Sequence, residues 1–216
     1  MKSMKIKSLT VFTAALLVFG MVSSAAAIEY FGFYKITNNG NEDVGSQLSV
    51  GVYDAGVDDA GIKKVGFTFT NNVGIGSSIT DIYFDDGTLL GIAQILNSAG
   101  VSFASPATPG DLPGGNAVDF ETTVPFSADS DSPVSKNGVD AASEWVTIIF
   151  NLINGKTYAD TIKALNSGEL RIGLHVQSIA PQGGSDSYVN RVPEPVTLLL
   201  LGLGLVGVAG IRRFKK

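Results

Sequence analysis

The sequence predicts an all-β fold: an antiparallel two-sheet sandwich of jelly-roll or Greek-key type with one short helix, flanked by an N-terminal signal peptide and a C-terminal transmembrane helix. Three observations predict this organisation. Apolar and polar residues alternate along several short segments, clusters of Gly, Asn, Asp and Pro separate those segments, and both ends of the chain are apolar runs with basic flanks. Alternation with a period of two is typical of strands with one buried face, and the clusters are typical of turns.

The strand segments follow one another along the middle of the chain. The clearest is 47–53, where Leu48, Val50 and Val52 share one face. In order, the predicted strands are 29–36, 47–53, 64–70, 79–85, 89–96, 117–124, 144–152 and 170–179.

Three further segments lack this alternation. Residues 157–165 have helical spacing of apolar side chains, and Gly168 follows as a stop signal, which predicts the short helix. Residues 106–115 and 127–138 are rich in Pro, Gly, Ser and Asp, which predicts long surface loops.

The N-terminus has the three parts of a secretory signal peptide. Lysines precede an apolar stretch, and Ala25 and Ala27 then supply the small residues of a cleavage site. We therefore expect residues 1–27 to be removed by signal peptidase, with 28–182 as the exported domain and 183–192 as a linker.

The C-terminal segment 193–216 also has three parts. A Pro-rich start is followed by 196–211, an uncharged run of about 24 Å as a helix, and by a basic tail. A hydrocarbon core of about 30 Å is longer than this helix, but local thinning and snorkelling of the tail accommodate it. The tail predicts a cytoplasmic C-terminus. The residues concerned are Val192, Pro193, Glu194 and Pro195 at the start, and Arg212, Arg213, Lys215 and Lys216 in the tail.

This Pro-Glu-Pro triplet, apolar helix and basic tail together resemble the PEP-CTERM sorting signal. The resemblance implies that an exosortase handles the chain, and that it acts at the cell surface or in the extracellular matrix with exopolysaccharide. Segments 78–86, 113–116, 126–131 and 170–177 resemble a recurring group of PEP-CTERM ectodomains, which implies no catalytic residue. The alternative for the tail is a plain membrane anchor that is never processed.

Charge and composition exclude several classes of function. All 20 acidic residues lie between the two targeting segments or at their border, against 8 basic ones, so the exported part carries a net charge of −12. Such a surface argues against nucleic-acid binding, which requires basic side chains to neutralise phosphates. The chain has no cysteine, which excludes disulfides, thiolate metal sites and cysteine nucleophiles.

His175 is the only histidine. A Ser-His-Asp triad or a histidine-rich metal centre would have to use it. Neither a G-x-S-x-G nor an H-E-x-x-H motif is present, so we expect a structural or surface residue.

Acidic loop residues offer calcium as a candidate cofactor. The candidate ligands are Asp129, Asp131 and Asp140, although Pro133 and Val134 break the pattern of an EF-hand loop. Two other acidic groups, Asp81 with Asp85 and Asp86, and Asp54 with Asp58 and Asp59, have the same composition. Aspartates in this setting more commonly start turns and keep a surface soluble.

A polysaccharide hydrolase would need two facing carboxylates. Asp119 and Glu121 on one predicted strand and Glu144 on another are the candidates. The sequence as a whole favours a non-enzymatic exported protein. The alternative is a calcium- or glycan-binding module in which exposed aromatic side chains stack on sugars, with Trp145 expected in the core; the aromatic candidates are Trp145, Tyr83, Tyr53 and Tyr188.

Overall fold

The computed structural model of the chain describes residues 27–192. The strands in this part are β1 (Glu29–Lys35), β2 (Leu48–Val57), β3 (Lys63–Asn71), β4 (Ser78–Asp85), β5 (Leu89–Asn97), β6 (Phe103–Ala104), β7 (Ser127–Ser130), β8 (Trp145–Leu152), β9 (Arg171–Ile179) and β10 (Gly184–Asn190). The α-helices are α1 (Val134–Asn137) and α2 (Tyr158–Ser167), and 3₁₀ turns occupy Gly45–Gln47 and Gly115–Val118.

All strands belong to one antiparallel sheet in the order β5-β8-β3-β2-β1-β10-β9-β4-β7-β6. The end strands β5 and β6 contact each other, and Asn97 exchanges hydrogen bonds with the backbone of Phe103 across this gap. The sheet therefore nearly closes into a barrel. Closure of this kind hides the unpaired backbone groups that edge strands would expose.

β1 joins what would otherwise be two sheets. Its first four residues, from Glu29 to Gly32, pair with β2, and its last three, from Phe33 to Lys35, pair with β10. The antiparallel all-β prediction is confirmed, but the two expected sheets are joined by hydrogen bonds through this strand. We call β5, β8, β3, β2 and the first part of β1 the open half, and the remaining strands the covered half.

The core lies between the inner faces of the two halves. Phe84 on β4 of the covered half packs edge-to-face against Phe67 and Phe150 of the open half, with ring centroids 5.2 and 4.7 Å away. This geometry is the favoured one for aromatic pairs. Alternate residues of β2 and β3, such as Val50 and Phe69, are fully buried against it, as their period-two pattern predicts.

A second, smaller apolar cluster lies on the outer face of the covered half. The loop between β6 and β7, residues 105–125, folds back over the sheet and is called the cover loop. Its side chains Leu112 and Phe120 pack on Tyr83 of β4 and Val189 of β10. β4 and β10 are consequently buried on both faces along most of their length.

Helix α2 confirms the helical prediction for 157–165. Thr157 caps it through a reciprocal hydrogen-bond pair with Asp160, and Gly168 ends it at a φ of 79°. Only glycine adopts that left-handed conformation without strain, so it is a common end to a helix. Buried Ile162 and Leu165 attach α2 to the main core.

Three predictions about loops and strands are wrong. Residues 183–192, predicted as a linker, contain the central strand β10, because Tyr188 and Val189 are buried on opposite faces of the sheet. Residues 117–124, predicted as a strand, instead form the end of a 3₁₀ turn and the irregular segment after it, within the cover loop. Residues 127–138, predicted as a surface loop, form β7 and α1.

Several predictions concern residues that lie outside 27–192. These are the signal peptide up to position 26 with Ala25, the segment 193–216 with Pro193, Glu194 and Pro195, the helix at 196–211, and the basic tail Arg212, Arg213, Lys215 and Lys216. Among residues 27–192, no helix has the length and apolarity needed to cross a membrane.

Candidate functional site

The two predicted processing points lie directly at the ends of the folded sheet. One residue separates Ala27 from β1, and the Ala27 carbonyl accepts a hydrogen bond of 2.8 Å from the Tyr158 hydroxyl. At the other end, the Arg191 amide donates to the Gly32 carbonyl, so pairing with β1 continues past the end of β10. Because β1 and β10 are antiparallel neighbours, Ile28 and Val192 leave the barrel at the same end.

A buried carboxylate ties these two strands together further along. Asp186 on β10 has no exposed side-chain surface, and its carboxylate lies 3.0 Å from the Lys35 ammonium. It also accepts hydrogen bonds from the Thr37 hydroxyl, the Asn39 amide and the Asn41 side chain at 2.7, 3.1 and 2.9 Å.

Burial alone would raise the pKa of Asp186, but the hydrogen bonds from Asn41, Thr37 and Lys35 outweigh burial and lower it. The site is a structural clamp between β1 and β10. Its members are close only after folding, since Thr37 and Asp186 are 149 positions apart.

A row of polar residues crosses the covered half next to the cover loop. Asp81 on β4 lies opposite Asp129 on β7 and His175 on β9, and Ser187 on β10 lies opposite His175. The His175 Nδ1 is 2.9 Å from an Asp81 oxygen, which also accepts a hydrogen bond from Thr80. Strand register thus brings a serine, a histidine and an aspartate together.

The row lacks the hydrogen bond that a nucleophile would need. The Ser187 hydroxyl is buried and has no hydrogen-bond partner within residues 27–192, so it makes no hydrogen bond to the imidazole. A serine nucleophile is usually activated by a base within hydrogen-bond reach, about 2.6–3.2 Å. The arrangement can hold the imidazole in place through Asp81, which no motif in the sequence indicated.

The candidate calcium ligands belong to three separate hydrogen-bond networks. Asp129 accepts from the Thr108 amide, Asp131 accepts from the Ser102 hydroxyl, and Asp140 lies against Glu144 in the turn before β8. Burial and the nearby charge of Asp81 raise the pKa of Asp129. Burial together with Glu144 raises the pKa of Asp140. Nowhere in 27–192 do three His, Cys, Asp or Glu residues converge as metal ligands would.

The candidate hydrolase carboxylates are not brought together as a facing pair. Asp119 has a left-handed backbone at the end of the 3₁₀ turn, where its carbonyl accepts a hydrogen bond from Arg171. The amide of Glu121 donates to Asp85, which also forms an ion pair with Arg171. Glu144 instead accepts hydrogen bonds from the backbone of its own turn.

The aromatic candidates divide between the core and the surface. Tyr83 and Tyr188 are fully buried; burial raises the pKa of Tyr188 to about 12. Trp145, expected in the core, is 36 % exposed, because it lies on the outer face of the open half. Tyr53 is half-buried on the same face, and Tyr30, which the sequence did not single out, is 72 % exposed there.

Two depressions lie on or beside the open half. A shallow one of about 490 Å³ is formed by the β2–β3 turn and the loop after β8. A smaller one of about 280 Å³ lies on the sheet face itself, between Tyr30 and Tyr53.

Comparison with known proteins gives one match. Residues 191–213 match the PEP-CTERM protein-sorting motif, which marks the chain as an exosortase substrate and an exported protein that is anchored or processed at the membrane. The match begins at Arg191, directly after β10. No curated protein and no solved structure matches the chain.

Proposed function

We propose that this exosortase substrate is a non-enzymatic protein of the cell surface or extracellular matrix that associates with exopolysaccharide. Signal peptidase cuts after Ala27, a helix at 196–211 holds the precursor in the inner membrane, and processing occurs near Pro193, Glu194 and Pro195. The observation that carries the proposal is the sorting motif at residues 191–213.

The position of the chain ends supports this topology. Ile28 and Val192 leave the barrel at the same end, beside the β1–β10 pair. A precursor held by both ends would therefore present one end of the barrel to the membrane and the rest to the exterior. Since β10 runs to Asn190, only three residues separate it from Glu194.

Two features support a binding or structural role over catalysis. The Ser187 hydroxyl makes no hydrogen bond to His175, and the carboxylates Asp119, Glu121 and Glu144 serve separate local contacts. We further interpret the two halves as the layers of a sandwich of jelly-roll or Greek-key type, since Phe84 packs across the core between them. Calcium binding stays an alternative, which a calcium-dependent rise in melting temperature would support.

The test is mass spectrometry of both termini of the protein from the cell envelope and from the medium. We expect a start at Ile28 and an end near Pro193–Pro195. The matched variant is Glu194→Gln, which should leave the N-terminal cut unchanged and retain Lys216. An intact C-terminus at Lys216 in every fraction of the unaltered protein would show a permanent anchor and would refute the processing step.

A further inference from the structure

We propose that the outer face of the open half binds a neutral polysaccharide chain through an aromatic platform formed by Tyr30, Tyr53 and Trp145. This inference deepens the proposed function, because it names the surface and the class of glycan. It rests on the proposed function only in that the extracellular matrix would be the source of the glycan.

The outer face of the open half is rich in uncharged polar and aromatic side chains. Directly paired residues share a face, so the register defines cross-strand rows on it. Beyond the row of Lys64 and Asn151, where Lys64 forms an ion pair with Asp58, three successive rows have no charged side chain, although the exported part has a net charge of −12. The rows are Gly32, Ser49, Thr70 and Trp145; Tyr30, Gly51, Thr68 and Thr147; and Tyr53, Gly66 and Ile149.

The tyrosine rings lie over glycines of the neighbouring strand. A Cβ added at Gly51 would be 3.0 Å from Cε1 of Tyr30, and one added at Gly66 would overlap the ring of Tyr53. The missing side chains leave room for both rings to lie against the backbone. Aromatic side chains that rest on the backbone in this way have few rotatable bonds and lose little entropy on binding.

Hydroxyl groups lie beside and between the rings. Ser49 bonds Thr70, and Thr68 bonds Thr147, each at 2.8 Å between oxygens. Within each pair one hydroxyl proton is used, and lone pairs remain available. Thr147 is buried, so Thr68 is the member of its pair that can contact a ligand. A sugar has an apolar C–H face that packs on a ring and a rim of hydroxyls that exchange hydrogen bonds with such groups. The depression between the rings is lined by Ile28, Tyr30, Gly51, Tyr53, Thr68 and Thr70.

The net charge favours a neutral glycan over two other candidate ligands of this face. A second copy of the chain, or an anionic polysaccharide, would approach an exported part of net charge −12 against repulsion, whereas a neutral glycan would not. The cover loop also packs on the other half, so it leaves these rows uncovered. From β1 to β8 the platform spans three strand spacings, about 14 Å, which is long enough for a chain of sugars and not only for one ring.

Binding is tested on the full-length chain, purified in a detergent without a sugar headgroup that could compete. The probes are cellohexaose, laminarihexaose and mannohexaose as neutral glycans, and an alginate hexasaccharide as the anionic one. Trp145 is the only tryptophan, so its emission reports occupancy directly. We expect at least one neutral probe to change this emission saturably, and alginate to leave it unchanged.

The variants are Tyr30→Ala and Tyr53→Ala, with Tyr34→Ala as the matched control. Tyr34 is 37 % exposed on the same strand, but it pairs with Val189 of the covered half. We expect each platform variant to weaken binding about tenfold, equal to about 1.4 kcal/mol, and the control to bind normally. Tyr30 is mostly exposed, so its variant should keep the melting temperature of the unaltered protein.

Three outcomes would overturn the proposal. The first is no response to any neutral probe. The second is equal binding by the Tyr30→Ala and Tyr34→Ala variants, which would place the glycan elsewhere. The third is a dimer in light scattering that Tyr30→Ala disperses, which would assign the face to a second copy. Terminal processing measured by mass spectrometry is unaffected by all three, so failure here is distinguishable from failure of the sorting proposal.

Discussion

The open and covered halves bury their inner faces in the same core but differ in what lies on their outer faces. On the open half, Thr68 and Tyr30 face outward between buried neighbours such as Phe67 and Phe31. On the covered half, the outward residues Tyr83 and Val189 are themselves buried beneath the cover loop. The outer faces of similar strands are thus exposed to solvent in the open half and buried in the covered half. The difference is caused by the cover loop.

This difference has a consequence for function. The cover loop occupies the outer face of the covered half with the protein's own Leu112 and Phe120, while the three uncharged rows on the outer face of the open half stay available to a ligand. A binding surface is therefore expected on the half that shows the simplest sequence pattern.

The largest expected effect comes from removing β10, the strand in the middle of the sheet that pairs with both β1 and β9. A chain that ends at Val192 should fold, whereas one that ends at Gly183 should lose cooperative unfolding, because β1 and β9 would both lose a partner. The loss would exceed the usual total stability of a domain, about 5–15 kcal/mol. Circular dichroism melts and limited proteolysis measure this. Identical melts for both chains would contradict a central role for β10 and support a linker.

Asp186 tests the contact between β1 and β10 at the level of one side chain. Asp186→Asn should destabilise the protein by about 3 kcal/mol, since it leaves the Lys35 ammonium without its buried partner. Asp59→Asn, at an exposed turn position, is the matched control and should be nearly neutral.

The pH dependence of that clamp follows from the lowered pKa of Asp186. An aspartate with a depressed native pKa contributes stability that is complete above its unfolded value of about 3.9 and is lost as the pH falls through the native value. Denaturant unfolding between pH 7 and pH 2 should show that loss in the unaltered protein and a smaller one in Asp186→Asn. Parallel curves for the two proteins would contradict the clamp.

A pair of glycines compares the two outer faces most directly. A Cβ at Gly173 would lie 2.6 Å from Leu112 of the cover loop, whereas a Cβ at Gly32 of the open half has no atom within 4 Å. Gly173→Ala should therefore cost about 1–2 kcal/mol by displacing the loop, while Gly32→Ala should be neutral or slightly stabilising. Chemical denaturation measures both. Equal effects would mean that the cover loop does not press on the sheet.

Sequence reasoning succeeded where each strand has one buried face. Alternation located β2 and β3 to within a few residues, and the Thr157 and Gly168 signals located α2. It failed where a strand is buried on both faces. The Gly-Ser-Asp-Ser-Tyr-Val-Asn sequence of β10 has no period-two pattern, because Ser187 and Val189 face the cover-loop side while Asp186 neutralises Lys35.

The candidate site residues also divide into those that a local sequence pattern identifies and those that only the fold brings together. The sorting motif is local, so its order and spacing can be recognised from contiguous residues, and the family match at 191–213 confirms that prediction. The Asp81–His175 contact and the position of Trp145 beside Tyr30 and Tyr53 each depend on register between strands far apart in the chain. No local pattern encodes those pairings.

The sequence by itself determined the antiparallel β class, the helix α2 and the sorting motif, because periodicity, caps and contiguous motifs are properties of neighbouring residues. Only the tertiary structure decided that β1 joins the two halves, that β10 is the central strand, and which outer face is covered. Those features depend on where the cover loop packs and on pairings between distant residues, such as Lys35 with Asp186, which form only when the whole sheet is assembled.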